Sequence, residues 1–75
     1  MIIGDNVYVN SNVSLNGQGG LTIGNDVLIG PYTSVWTSNH NFENPNIPIN
    51  QQGDISKTVT IGNDVWIGAQ VVILP

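Results

Sequence analysis

The chain has 75 residues, which is enough for one small domain. Five acidic residues oppose a single basic one, and the net charge of −4 argues against nucleic acid and anionic membranes as partners. The absence of cysteine excludes disulfides and thiolate metal sites. No apolar run approaches the about 18 residues of a membrane-spanning helix, and the N-terminus carries no basic leader, so we expect a cytoplasmic protein.

One five-residue motif occurs three times with small variations. The three copies are Ile3-Gly4-Asp5-Asn6-Val7, Ile23-Gly24-Asn25-Asp26-Val27 and Ile61-Gly62-Asn63-Asp64-Val65. From the first residue of each copy, an aliphatic residue recurs every six positions. These residues are Ile3, Val9 and Leu15, then Ile23, Ile29 and Val35, then Ile61, Ile67 and Ile73. A period of six does not match the 3.6-residue period of a helix.

The period of six matches a short strand followed by a tight turn, with one inward aliphatic residue on each strand. The Asn/Asp pair of the motif suits the turn, because asparagine tolerates the left-handed backbone region that a sharp corner requires. Three such corners close one coil, and stacked coils align their inward residues in ladders. The sequence therefore predicts an all-β solenoid.

The repeat divides the chain into coils and one excursion. We expect the first coil from Ile3 to about Gly20, the second from Ile23 to His40, and the third from Ile61 onward. Residues 41–58 interrupt the repeat and contain two prolines, so we expect them to form a long loop without strands. Residues 1–75 are thus predicted to be a single β-helix domain of about three coils.

Three segments, in this order, resemble the hexapeptide-repeat acyltransferases over nearly the whole chain. They are residues 23–31, Ser38-Asn39-His40 and residues 59–69. The resemblance is greatest to maltose, galactoside and polysaccharide O-acetyltransferases, followed by xenobiotic acetyltransferases. It implies a left-handed parallel β-helix, acetyl-CoA as the acyl donor, a sugar or polysaccharide hydroxyl as the acceptor, and a homotrimer. Members of this family continue with further coils, so we expect residues 1–75 to be either a fragment or a shortened member.

His40 is the only histidine, and it lies where the repeat stops. Its position next to an inward site predicts an outward side chain at the mouth of the loop. A lone histidine is commonly an ordinary surface residue. The resemblance instead implies a general base, which accepts the proton of the acceptor hydroxyl as that oxygen attacks the thioester. Glu43 is a candidate for orienting the imidazole ring.

Three further side chains are predicted to face outward and to contact substrate. Tyr8 and Asn10 flank the inward Val9, and they match acceptor-binding positions of the sugar acetyltransferases. Asn10 is also compatible with an ordinary corner asparagine. Trp66 precedes the inward Ile67, and it either packs against the loop or a second subunit or lines the substrate cleft.

The resemblance implies a donor site beside the last repeat. The peptide N–H of Ala69, which follows Gly68, would meet the acyl donor or the developing oxyanion, with Trp66 close by. Trp36 follows the inward Val35 and is predicted to pack between subunits. We expect Tyr8 and Asn10, His40, and Trp66 on different faces of the coil, so that a complete site requires more than one subunit.

The composition excludes two other classes of protein and leaves one open. A non-catalytic β-helix module for assembly or binding is the main alternative to an enzyme. A zinc carbonic anhydrase would need several histidines, and a flat ice-binding face would need threonines in one register. Without cysteine, and without a serine close to a base, we expect direct transfer with no covalent enzyme intermediate and no metal.

Overall fold

The computed structural model describes residues 1–75 as eleven short strands and one 3₁₀ turn, Ile49–Gln51. The strands are β1 (Ile2–Ile3), β2 (Val7–Val9), β3 (Ser14–Leu15), β4 (Leu21–Ile23), β5 (Val27–Ile29), β6 (Ser34–Val35), β7 (Ser38–His40), β8 (Asp54–Ser56), β9 (Val59–Ile61), β10 (Val65–Ile67) and β11 (Val72–Ile73). The structure contains no helix that is long and apolar enough to cross a bilayer.

Nine of the strands form the three parallel faces of a coil. The strand orders are β1-β4-β9, β10-β5-β2 and β11-β6-β3. The six-residue repeat sets the register, because Ile3 pairs with Ile23, which in turn pairs with Ile61. Equivalent ladders run through Ile29 and Val35 on the other two faces. The predicted left-handed parallel β-helix of stacked coils is confirmed.

The core contains more inward positions than the repeat predicted. The expectation of one inward residue per strand was wrong, because three-residue strands bury both outer residues and expose the middle one. In β5, Val27 and Ile29 are buried and Leu28 is exposed. The buried apolar set is Leu21, Ile23, Val27, Ile29, Val35, Val59, Ile61 and Ile67.

Left-handed residues form the corners, as the Asn/Asp pairs predicted. Asn6, Asp26 and Asp64 have φ of 56°, 58° and 56° at the first corner of the three coils. The preceding asparagines tie one coil to the next. The Oδ1 atom of Asn25 accepts the N–H of Asp5, and Oδ1 of Asn63 accepts the N–H of Asn25, each at 2.7 Å.

Gly24 permits the close approach of coils at this corner. A Cβ atom there would lie 2.8 Å from the backbone of Gly62 and closer still to the Asn63 side chain. We expect Gly24→Ala to lower the free energy of unfolding by about 1–3 kcal/mol, because the backbone must shift to relieve the overlap. Gly17→Ala is the matched control, since its Cβ would meet mainly the flexible end of Met1 at 3.1 Å. Equal midpoints in urea for the two variants would contradict this account of the corner.

The excursion from the second coil is a folded hairpin, so the prediction of a loop without strands was wrong. β7 and β8 pair antiparallel, with Ser38 opposite Ser56 and His40 opposite Asp54. The chain leaves the coil after Thr37 and returns at Lys57, whose N–H donates to the carbonyl of Thr37 at 2.8 Å. The excursion is therefore earlier and more regular than the expected residues 41–58, and His40 lies on the hairpin rather than on the second coil.

Candidate active site

The base of the hairpin is held by a buried threonine. Thr37 is fully buried, and its hydroxyl accepts the N–H of Gly19 at 2.8 Å. The same hydroxyl lies 3.0 Å and 2.9 Å from the main-chain and side-chain oxygens of Asn16, to which it can donate. The residues around Gly19, at the end of the first coil, therefore pack against the point where the hairpin begins. Every buried side-chain polar atom has a partner, which favours one fixed position for the base.

The far end of the hairpin is held together by one glutamine. The Nε2 atom of Gln52 donates to the carbonyls of Asn44 and Ile47, at 2.8 Å and 2.6 Å. Its Oε1 atom accepts the N–H of Asn44 at 3.2 Å. These bonds hold Asn44 and Ile47 together at the tip, although most of the side chains there are exposed. A rigid base and a closed tip give the strand between them a defined position.

His40 and Asp54 face each other across the hairpin. The Nδ1 atom of His40 lies 2.7 Å from Oδ1 of Asp54. Because a carboxylate only accepts hydrogen bonds, this contact requires a hydrogen on Nδ1. In the neutral imidazole ring, Nε2 then carries the free lone pair and can accept a proton. The sequence-based suggestion that Glu43 orients the ring was wrong, because the antiparallel register places Asp54 opposite His40.

Both members of the pair are accessible to solvent. The side chains of His40 and Asp54 are 70% and 54% exposed. An exposed pair of this kind contributes about 0–1 kcal/mol to stability. Its main consequence is therefore the orientation and tautomer of the ring, and the predicted outward position of His40 is confirmed by its exposure.

Two cavities share His40 in their linings. The first has a volume of about 220 Å³ and is lined by Trp36, Ser38, Asn39, His40, Asp54 and Leu74. The second, of about 190 Å³, shares Asn39 and His40 and adds Phe42, Glu43, Ile55 and Lys57, among others. A ligand in either cavity can contact the imidazole ring. Trp36, which the sequence suggested only for subunit packing, lies in the wall of the first cavity.

Tyr8 and Trp66 lie on one outer face of the helix. Both pair with Leu28, so the three side chains form a row across β2, β5 and β10. All three are exposed, and Trp66 is the most exposed of them at 80%. The expectation that Tyr8 and Trp66 occupy different faces was wrong, because they occupy the same position in the first and third copies of the repeat. No cavity contains residues of both this row and the His40 hairpin.

Asn10 lies just after β2 rather than on it. It is half-buried at a corner, and its Oδ1 atom accepts the N–H of Ser11 at 2.7 Å and lies 3.3 Å from the Ser11 hydroxyl. Only Tyr8 lies on β2, and Asn10 is a corner residue. The side-chain oxygen already has a local partner, as in an ordinary corner asparagine.

The peptide between Gly68 and Ala69 lies at the corner of the third coil that corresponds to the Asn10 corner of the first coil. The hydroxyl of the buried Thr33 donates to the carbonyl of Gly68 at 2.9 Å. The peptide is trans, so its N–H points away from Thr33 and from the second coil. This N–H, on Ala69, makes no hydrogen bond within the chain.

Sequence reasoning missed three elements of this arrangement. The row of Tyr8, Leu28 and Trp66 was available from the repeat, since each follows the valine of its motif. Trp36 and Leu74 likewise each follow the third inward aliphatic residue of a coil. Asp54 had no such indication, because its contact with His40 depends on the pairing of the hairpin.

The fold is a parallel β-helix built from a six-residue repeat, and comparison with known proteins confirms the resemblance of the chain to O-acetyltransferases. The chain is 38% identical over 74 residues to galactoside O-acetyltransferase of Escherichia coli K12, covering 97% of this chain and 35% of that protein. It is 35% identical to nodulation protein L of Rhizobium leguminosarum bv. viciae, over 97% of this chain and 37% of that protein.

A third relative, galactoside O-acetyltransferase of Lactococcus lactis, is 34% identical over 96% of this chain and 34% of its own length. The chain thus spans a little over a third of the length of the curated relatives that it matches. No family model matches the chain. No solved structure matches it either.

Proposed function

We propose that the chain is the base-bearing segment of an acetyl-CoA-dependent O-acetyltransferase that modifies a hydroxyl of a sugar or polysaccharide. The observation that carries the proposal is the 2.7 Å contact between His40 Nδ1 and Asp54. It leaves Nε2 available as a base next to two cavities. The similarity to named galactoside O-acetyltransferases supports the choice of reaction and of acceptor.

The proposed reaction is a direct transfer. Nε2 of His40 accepts the proton of the acceptor hydroxyl while that oxygen bonds to the thioester carbonyl carbon of acetyl-CoA. The carbon–sulfur bond then breaks, and the proton passes from the imidazolium to the departing thiolate. Asp54 holds the ring and stabilises its positive charge during transfer. The chain contains no cysteine to form an acyl-enzyme, so we expect no covalent intermediate.

We propose separate contacts for the acyl donor and for the acceptor. The free N–H of Ala69, fixed through the carbonyl of Gly68, donates to the thioester oxygen as negative charge develops there. Trp66 packs against the acyl donor on the same side of the coil. Tyr8 and Asn10 contact the acceptor, with Asn10 acting through its amide nitrogen because its oxygen has a local partner.

A complete site requires more than one copy of the chain. The row of Tyr8, Leu28 and Trp66 and the His40 hairpin share no cavity, so one copy does not unite them. The row is apolar and exposed, and a second copy that covers it would bury the indole and bring its own hairpin to the donor contacts. We propose a homotrimer with clefts between subunits.

The relatives are longer than this chain, so we propose that residues 1–75 act as one β-helix domain within a longer stack of coils. The net charge of −4 favours neither nucleic acid nor anionic membrane as a partner, and we place the protein in the cytoplasm, where acetyl-CoA is available.

Replacing Asp54 tests the role of the pair. We expect Asp54→Asn to lower kcat roughly 10- to 100-fold, less than the about 10⁴-fold loss for a buried carboxylate partner, because water reaches this exposed pair. KM for both substrates should change little. Glu43→Gln is the matched control, since it removes a nearby carboxylate that does not contact the imidazole ring. A larger loss in the Glu43 variant than in the Asp54 variant would contradict the assignment.

The activity itself is tested by acetyl-CoA turnover in the full-length protein. The acceptor panel comprises galactosides, glucosides, an oligosaccharide and a hydroxyl-bearing antibiotic. We expect an acetate ester on a sugar hydroxyl, with release of one free thiol for each ester formed. Turnover of the antibiotic alone would move the proposal to xenobiotic acetylation. Failure of the whole panel would leave a non-catalytic binding module as the better account.

A further inference from the structure

The cavity between Trp36 and His40 combines a flat aromatic wall with a polar rim. The indole of Trp36 is 42% exposed, and it lies beside Leu74 because Val35 and Ile73 are paired in the preceding position. Ser38, Asn39, His40 and Asp54 supply hydroxyl, amide, imidazole and carboxylate groups around it. Pockets that bind small molecules specifically have this combination of apolar lining and a few polar groups.

Trp36 is rigidly mounted. The backbone N–H of Trp36 donates to the carbonyl of Ile73 at 2.9 Å. The adjacent backbone carbonyl of Val35 accepts the backbone N–H of Asn16 at 2.8 Å. The backbone around Trp36 is therefore bonded to the coils on both sides. An aromatic side chain on such a base loses little conformational entropy when a ligand packs against it.

Charge limits which ligands fit this cavity. Asp54 is its only charged lining residue, and the one basic residue of the chain, Lys57, lines the other cavity. An anionic ligand next to Trp36 would therefore meet a carboxylate with no cation to offset it. A neutral pyranose fits better, since one face of its ring presents C–H groups to an indole while its rim presents hydroxyls to polar side chains.

We propose that Trp36 is the platform for a neutral pyranose acceptor, whose ring packs on the indole while one hydroxyl reaches His40. This inference rests on the proposed O-acetyl transfer, and it adds a residue and a charge preference to it. Sugar phosphates and uronic acids are excluded by the Asp54 carboxylate. The second cavity, with Lys57 and Phe42, is left free of the acceptor.

Binding can be tested without catalysis, because the chain has only two tryptophans. In full-length protein labelled with ¹⁵N, the Trp36 and Trp66 indole N–H signals are assigned by comparison with Trp36→Phe and Trp66→Phe, and any other indole signals are set aside. Titration with methyl β-galactoside and methyl β-glucoside should shift the Trp36 signal and leave the Trp66 signal in place. Methyl glucuronide and glucose 1-phosphate should shift neither. Movement of the Trp66 signal alone, or equal responses to the anionic sugars, would overturn the proposal.

Steady-state kinetics of Trp36 variants provide a second test of the proposed acceptor site. With the best neutral pyranoside, we expect Trp36→Ala to raise the acceptor KM about tenfold or more, while kcat and the acetyl-CoA KM stay within about threefold. Trp36→Tyr should retain most of the affinity, because it keeps an aromatic face. An unchanged acceptor KM in Trp36→Ala overturns the platform and leaves acetyl transfer intact. A shifted Trp36 signal without any turnover would instead retain the sugar site and refute the proposed reaction.

Discussion

Replacing His40 with alanine in the full-length protein is expected to lower kcat at least about 100-fold, because positioned general bases contribute about 10²–10⁴-fold. Without the imidazole, the attacking oxygen must lose its proton to water while it bonds to the thioester carbon. KM for acetyl-CoA should stay nearly constant, since the proposed donor contacts lie at Trp66 and Ala69. Rates are measured by thiol release under saturating donor and acceptor.

Two controls separate this loss from damage to the fold. Asn46→Ala alters an exposed side chain at the tip of the same hairpin and should retain activity within about twofold. The thermal midpoint of His40→Ala should match that of the parent protein, because the 70% exposed ring contributes little to stability. Added imidazole should restore part of the rate. Equal kcat values for the parent and His40→Ala would remove the histidine from the mechanism.

Replacing Ile29 with alanine is expected to cost about 2–5 kcal/mol of the free energy of unfolding. Ile29 is 0% exposed and lies at the centre of its ladder, paired with Val9 and Ile67 on the neighbouring coils. The truncation leaves a cavity that the hydrogen-bonded coils cannot close, because their spacing is fixed by the parallel sheet. Urea unfolding of the full-length protein, followed by circular dichroism, measures the change.

Thr60→Ala is the matched control for the core. Thr60 is the exposed middle residue of β9, between the buried Val59 and Ile61, so its truncation leaves no cavity. We expect a change within about 0.5 kcal/mol. If the two substitutions shifted the urea midpoint equally, the inward assignment of the six-residue ladder would be incorrect.

Much of the solenoid could be predicted from the repeat, because each coil is a local copy of the previous one. The pairing of Ile3, Ile23 and Ile61 follows directly from equal spacing, and the corners follow from the Asn/Asp pairs. The second inward position of each strand was not predicted, because only one aliphatic residue in six was assigned to the core. The second set of inward positions also recurs every six residues, four residues after the first set. Val27, the buried first residue of β5, belongs to this second set and lies four residues after Ile23.

The hairpin and its chemistry were less accessible from sequence. The segment between His40 and Lys57 has no repeat, so its pairing depends on contacts such as those of Gln52 with Asn44. The partner of the imidazole was therefore assigned to the nearby Glu43, although Asp54 is the residue that register brings opposite. The repeat indicated an exposed histidine at the point where it stops, but only the folded hairpin identifies Asp54 as the residue that holds the ring.

The most direct test is a crystal structure of the full-length protein with coenzyme A and a neutral pyranoside acceptor. We predict one sugar hydroxyl within about 3.2 Å of His40 Nε2, with Nδ1 still bonded to Asp54. The thiol of coenzyme A should lie on the far side of that hydroxyl, near the N–H of Ala69. An acceptor bound away from the imidazole, or an imidazole turned so that Nε2 contacts Asp54, would contradict the account.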